Sequence, residues 1–255
     1  MHPRRSLGIL VSVFAFALNI ASAEVKPKYG PLDSPRAIPL ARSSEYFRNP
    51  SHPAPDFWAL ISYYVPQFNG AACSAASVSM VLNAARAQQP QTADQKNISQ
   101  EDLLNRVETE HWKDRMSLKG YLGSHGLSLD RLGKVTEAAL KTYGFPKGTV
   151  KVVTIPNASE ATQAELKKVL LKKRSTDFIL ANFNQRIFTD DADVGHIAPV
   201  GAYDPDKNRV LILDPDREYY GPYWVSMKTF LQGMATLDGK NHRGYILIRT
   251  QGEGE

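Results

Sequence analysis

A change of hydrophobic period partway along the chain is the strongest constraint on its fold. In the front half, apolar residues recur at helical spacing: Val78, Val81, Leu82 and Ala85 fall on one stripe of a helix predicted from Cys73 to Arg86. Ser99 can cap a second helix with Asp102 three residues on, a third is predicted from Leu129 to Tyr143 between Ser128 and Gly144, and a fourth spans about Ala161 to Lys173. The back half instead carries short apolar runs of strand length, Phe178 to Phe183, His196 to Tyr203, Val210 to Leu213 and Tyr245 to Ile248. Helices first and antiparallel strands afterwards predict an α+β protein and not a doubly wound one.

Composition narrows the partners. The 255 residues are 42% apolar and 22% charged, enough to bury a full core, which excludes a disordered chain. The first 23 residues read as a secretory signal peptide: Arg4 and Arg5, an apolar run from Leu7 to Leu18, and Ala21-Ser22-Ala23 suited to cleavage. With those two arginines set aside, 29 Lys+Arg face 26 Asp+Glu, a net charge of +3 in place of +5. That is too mild to imply a nucleic-acid partner, and no membrane contact is expected after the signal is removed. The expected location is periplasmic or secreted. Residues 24–56, with seven prolines from Pro27 to Pro55, read as an extended N-terminal arm, followed by one catalytic domain over 57–250 and a tail at 251–255.

Export makes the cysteine count informative, because Cys73 is the only cysteine and no internal disulfide can form. A lone buried cysteine is most simply a small hydrophobe, so its neighbourhood decides. Gly70-Ala71-Ala72 precedes Cys73 at the predicted helix start, where unpaired amides and the helix dipole favour thiolate. The turn cluster Asp204-Pro205-Asp206-Lys207-Asn208 predicts a hairpin whose register sets His196 directly opposite Asp214. An aspartate there fixes the imidazole tautomer and leaves the other ring nitrogen for the thiol. The order Cys, His, Asp, with a helix carrying the nucleophile and a sheet carrying the base, is the papain-like arrangement.

Other chemistries find little support. The six histidines contain no close metal-ligand pair and there is no thiolate cluster, so no bound metal is expected. No phosphate-binding or dinucleotide glycine pattern is present. Lys167, Lys168, Lys172, Lys173 and Arg174 read as a solvated helix face.

Several stretches carry a family resemblance: Tyr64-Val65-Pro66-Gln67, Cys73-Ser74-Ala75-Ala76-Ser77, Met80-Val81-Leu82-Asn83, Gly126-Leu127-Ser128-Leu129, Val194 to Tyr203, Leu211-Ile212-Leu213-Asp214, Arg217, Tyr220, Pro222-Tyr223-Trp224-Val225 and Arg243-Gly244-Tyr245. In these the sequence resembles the phytochelatin synthases, specifically the short prokaryotic form, over about residues 57–250. The resemblance implies a papain-like cysteine peptidase fold and a glutathione γ-glutamylcysteinyltransferase or hydrolase. Cys73 would attack the Cys–Gly bond of glutathione, release glycine and hold a thioester for transfer to a second glutathione or to water. It further implies that Gln67 joins the Cys73 amide in stabilising the oxyanion. Asn182, the backbone at Gly195 and Ile197, Asp238 and Arg243 would receive the γ-glutamyl end, with Arg217 and Tyr220 on the second-substrate side. Ser74 stands where the family usually has Gly. The Cys-rich extension of long members is missing, so cadmium or zinc would enter as a glutathione thiolate complex, with no tightly bound cofactor. Expected partners are therefore glutathione and metal–glutathione complexes, with a homodimer left open. Two other readings use the same residues: a general papain-like peptidase or transglutaminase-type acyltransferase, and a noncatalytic exported binding protein with Cys73 as core filler.

Overall fold

A computed structural model describes residues 35–172 and 177–251. The signal peptide predicted at 1–23, residues 24–34 of the arm and residues 252–255 of the tail lie outside the described residues. In chain order the elements begin with strand β1 (Ala37–Pro39), followed by two short 3₁₀ turns and helices α1 (Pro55–Ile61), α2 (Cys73–Arg86), α3 (Gln100–Arg106), α4 (Trp112–Arg115) and α5 (Leu129–Thr142). Next come β2 (Thr149–Thr154), α6 (Glu160–Lys172), β3 (Asp177–Asn184), α7 (Gln185–Thr189), β4 (Gly195–Asp204) and β5 (Arg209–Ile212). The chain finishes with β6 (Tyr223–Ser226), α8 (Met227–Met234), β7 (Leu237–Asp238), β8 (Asn241–His242) and β9 (Gly244–Arg249).

Seven strands form one antiparallel sheet in the order β1-β6-β5-β4-β3-β9-β2, and β7 pairs with β8 as a separate small hairpin. The result is an α+β architecture. Alternate residues of each strand feed two different cores. Phe178, Leu180, Leu211, Leu213, Ile246 and Ile248 pack with α1, α2 and α5, whereas Ile179, Ala181, Phe183, Val210, Ile212 and Leu247 pack with α6, α7 and α8. A helical half beside a sheet half therefore describes the molecule only partly: helices cover both faces of the sheet. Double coverage also explains why the strands read as unbroken apolar runs, since both side-chain directions are buried.

The predicted helices at 73–86 and 129–143 agree with α2 and α5 to within a residue, and the Ser99 hydroxyl accepts the amide of Asp102 at 3.0 Å. The stripe expected on α2 is instead a whole cylinder, because every residue from Cys73 to Ala85 is buried. Its polar members are each satisfied. Asn83 exchanges two hydrogen bonds with Ile98, and Ser79 donates to the carbonyl of Ala76. Strands β2 and β6 and helix α8 are additions to the sequence reading. β2 lies at the sheet edge with its side chains exposed or half-buried, and β6 is only four residues long, so neither produces a sustained apolar run.

The described part of the arm is stitched to the sheet. β1 pairs with β6, the Ser43 carbonyl accepts Trp224 Nε1 at 3.0 Å, and Tyr46 donates to the Tyr203 carbonyl. Arg209, which is buried, donates to Ser43 and to Asp204 at 2.8 Å and lies 4.4 Å from the Trp224 ring centre. Asp204 in turn accepts the amides of Asp206 and Lys207, closing the β4–β5 turn. Arg209→Ala strands a buried carboxylate, and urea denaturation should register a loss of about 3–5 kcal/mol. An unchanged unfolding midpoint would show that the turn holds without this pair.

Candidate functional site

The nucleophile candidate sits where the sequence places it. Cys73 is the first residue of α2, and no side chain caps the helix, so the first-turn amides have no side-chain acceptor. The preceding loop is shaped by Asn69, whose Oδ1 accepts the amide of Ala71 and whose Nδ2 donates to the Met116 carbonyl, both at 2.8 Å. One turn further on, Ser77 donates to the carbonyl of Ile197 at 3.0 Å. That bond fixes the cysteine helix against the strand that carries His196.

His196 is buried, hydrogen-bonds Asp214, and shares the cavity lining with Cys73, whose proximity also raises the imidazole pKa. Its Nε2 is 2.7 Å from Asp214 Oδ1, which leaves Nδ1 for the sulfur. The pair forms by a route other than the one expected. The β4–β5 register shifts between Val200 and Ala202 and then pairs Val200 with Ile212, so a continued ladder would set Ala198, not His196, opposite Asp214. Asp214 lies just past the end of β5 and reaches His196 diagonally. Its remaining acceptor sites are used as well: Oδ2 takes the Tyr223 hydroxyl at 2.7 Å, and Oδ1 also takes the Asp216 amide at 2.8 Å.

The charge state follows from this packing. Burial alone pushes the His196 imidazolium toward losing its proton, but the Asp214 charge and hydrogen bond, with the Cys73 interaction, outweigh it and hold its pKa well above 6.5. Burial likewise pushes the Asp214 carboxyl up, and the His196 charge, helped by the two further donors, brings it below its ordinary value. A buried imidazolium between a carboxylate and a thiol can stabilise thiolate and later supply a proton.

Cys73 and His196 open onto a cavity of about 710 Å³, within the roughly 300–1,000 Å³ range of small-ligand sites. Asn182, Gly195, Ile197, Asp238 and Arg243 line the same cavity. Asn182 lies opposite Ile197 on the β3–β4 ladder; its Oδ1 accepts Arg243 Nη1 at 3.1 Å and its Nδ2 donates to the Leu127 carbonyl. Arg243 also pairs with Asp238 at 3.7 Å. Gly195 leaves room for Arg243: a Cβ there would lie 2.6 Å from Arg243 Nη1 and would push the guanidinium from its place. The remaining sequence candidates are not in the cavity lining. Gln67 is half-buried, with its backbone N–H donating to the Pro215 carbonyl at 2.8 Å beside Asp214. Arg217 lies over the Tyr64 ring at 4.4 Å, and Tyr220 is buried with its hydroxyl on Asp191.

Three contributors escaped sequence reasoning. Tyr223 holds Asp214 from behind, and Tyr64 donates to the Asp214 carbonyl. Both lie in the stretches that carry the resemblance, but spacing alone gives neither hydroxyl an acceptor. Ser74 is the third: its hydroxyl accepts Trp112 Nε1 at 2.9 Å and donates to Met116 Sδ at 3.1 Å. The side chain where a glycine is usual therefore anchors α4 to the nucleophile helix.

A thiol beside an imidazole that is itself hydrogen-bonded to a carboxylate is an arrangement that can support nucleophilic chemistry at sulfur. The family model described as phytochelatin synthase matches residues 38–245, and the chain belongs to that family. Among curated relatives, the chain is 26% identical over 203 residues to glutathione gamma-glutamylcysteinyltransferase 1 of Arabidopsis thaliana, covering 75% of this chain and 36% of that protein. Glutathione gamma-glutamylcysteinyltransferase 2 of the same plant is 27% identical over 202 residues, covering 75% of this chain and 39% of that protein. The fission yeast Schizosaccharomyces pombe glutathione gamma-glutamylcysteinyltransferase is 35% identical over 69 residues, 26% of this chain and 16% of that protein. The chain thus spans little more than a third of the length of the Arabidopsis relatives it matches.

Two tests follow from the geometry. Asp214→Asn removes the charge that raises the His196 pKa and leaves the burial that lowers it, so the histidine titration followed by NMR should move to lower pH. No movement would dissociate the two residues. Ser74→Ala leaves Trp112 Nε1 buried without an acceptor and should lower stability by about 1–3 kcal/mol in chemical denaturation; a neutral result would mean that α4 is held by packing alone.

Proposed function

We propose that the protein is a papain-like thiol enzyme acting on glutathione, with γ-glutamylcysteinyl transfer or hydrolysis as its reaction. The observation that carries this reading is the sharing of one cavity. The thiol–imidazole pair opens into the same space as a guanidinium, a carboxylate and a carboxamide on the sheet side. An amino-acid head carries one ammonium and one carboxylate, for which Asp238 and Arg243 are the matching partners, with Asn182 and the backbone at Gly195 and Ile197 completing the receptor.

The Cys73 thiolate attacks the carbonyl carbon of the Cys–Gly amide. As the C–N bond breaks, the departing amine takes its proton from the His196 imidazolium, and glycine leaves. The γ-glutamylcysteinyl group remains as a thioester on Cys73. A second glutathione or water then attacks; His196 accepts the proton of the incoming nucleophile, and the C–S bond breaks to return thiolate. Asp214 holds the ring in one orientation throughout and compensates the positive charge. We assign the oxyanion to the Cys73 amide and Gln67, for which loss of one donor typically costs ~100- to 1,000-fold in rate. Cadmium or zinc enters as substrate, bound by glutathione thiolates, because soft ions prefer sulfur ligands. No tightly bound cofactor has a part in the scheme. The leader-like composition of the first 23 residues supports an exported compartment for this chemistry.

The decisive experiment incubates purified protein with glutathione, with and without cadmium or zinc, and identifies the products. Glycine with γ-glutamylcysteine alone indicates hydrolysis, and longer oligomers indicate transfer. Intact-protein mass should reveal a γ-glutamylcysteinyl adduct on wild-type protein and none on Cys73→Ser. Folded protein that yields neither product nor adduct would overturn the reading, and cleavage of ordinary α-linked peptides with no preference for glutathione would replace it with a general peptidase.

A further inference from the structure

The cavity holds a second buried arginine that the scheme above leaves without a ligand. Arg115 ends α4 and lines the cavity from the helical side, whereas Arg243 precedes β9 on the sheet side. Arg115 is 7% exposed. Its Nε donates to the backbone carbonyl of Glu110 at 3.1 Å, and its guanidinium lies 5.2 Å from the Tyr121 ring centre. Neither terminal nitrogen has a protein acceptor among the described residues, and no carboxylate among them forms an ion pair with it. The acids beside it are engaged elsewhere. The Glu110 carboxylate is held by Arg131 at 3.0 Å and Lys134 at 3.3 Å, and Lys134 also holds Asp130 at 2.9 Å.

A buried cation without a counter-charge is costly, and a guanidinium presents a fixed fork of donors that fits a carboxylate. This fork is also held still. Ser74 bonds Trp112 at the start of α4, and Asn69 bonds the Met116 carbonyl just past its end, so the helix is tied to the segments on either side of Cys73. Such an arrangement is prepared for an anionic group of the molecule on which the thiol acts.

We propose that Arg115 binds the α-carboxylate of the amino acid on the amine side of the bond that Cys73 breaks and remakes; the inference rests on the glutathione reading. Departing glycine carries its amine one carbon from its carboxylate. An incoming glutathione carries its γ-glutamyl amine one carbon from a carboxylate as well. The two therefore present the same spacing, and a guanidinium placed for the leaving glycine is placed for the entering acceptor. In acylation the C–S bond forms, the C–N bond breaks and the amine leaves with the His196 proton. In transfer the acceptor amine forms the C–N bond, gives a proton to His196 and releases thiolate. Water has no carboxylate, so Arg115 favours transfer over hydrolysis.

The test compares glutathione with its C-terminal amide, in which the glycine carboxylate is neutralised, using wild type, Arg115→Lys and Arg115→Gln. Wild-type kcat/KM for release of the glycine unit should fall roughly 10- to 100-fold on amidation, the range of a charge-assisted hydrogen bond. Arg115→Gln should lose a similar factor on glutathione and little more on the amide, Arg115→Lys should fall between, and both should shift unmodified glutathione from oligomers toward γ-glutamylcysteine. Wild type that turns over the amide as fast as glutathione overturns the proposal without any variant, as does an Arg115→Gln loss of equal size on both substrates. Wild type that releases glycine from neither substrate instead sinks the glutathione reading and this proposal with it.

Discussion

The buried contact between His196 and Asp214 is the interaction on which the rest of the site depends. An imidazolium and a carboxylate are both expensive to remove from water, and their attraction offsets that cost only when the remaining donors and acceptors are matched. Asp214 meets the condition with three donors, from His196, Tyr223 and the Asp216 amide. Each donor comes from a different segment, namely β4, β6 and the turn after β5. The sheet must therefore be in register before the charge is tolerable, and the charge in turn rewards that register.

The nucleophile helix is fixed by polar contacts in an apolar setting. With residues 73–85 all buried, dispersion alone would let α2 rotate or slide by small amounts. Ser77 ties it to β4, Ser74 to α4 and Asn83 to the segment before α3. Buried hydrogen bonds of this kind add modest net stability but penalise misalignment, because a shift leaves a donor or acceptor unpaired. Precision of the thiol follows from three side chains that touch no reacting atom.

Much of this was legible in the sequence, and the limits have physical causes. A helix starting at Cys73 follows from local composition, and the His196–Asp214 partnership follows from the turn between their strands. The mode of that partnership did not, since the register shift near Gly201 falls where β4 passes from pairing with β3 to pairing with β5, which local spacing does not encode. Asn182 and Arg243 come together through the β3–β9 and β3–β4 pairings. That convergence links residues 61 positions apart, and the sequence suggests it only through family likeness. Arg115 illustrates the opposite limit. In sequence it is one more charge in a polar stretch, and its interest lies wholly in its burial and its missing partner.

The placement of β9 between β3 and β2 bears on how the molecule comes into being. The final strand is the wedge that joins two otherwise separate pieces, the α5–β2 unit and the β3–β4 hairpin. A ribosome-bound chain that ends before residue 244 has no sheet spanning both. Contacts so distant along the backbone close slowly, and Arg243 takes its station only when they do. The emerging polypeptide thus carries Cys73, its only cysteine, through most of its synthesis before His196 and Asp214, and last of all Arg243, can gather around it.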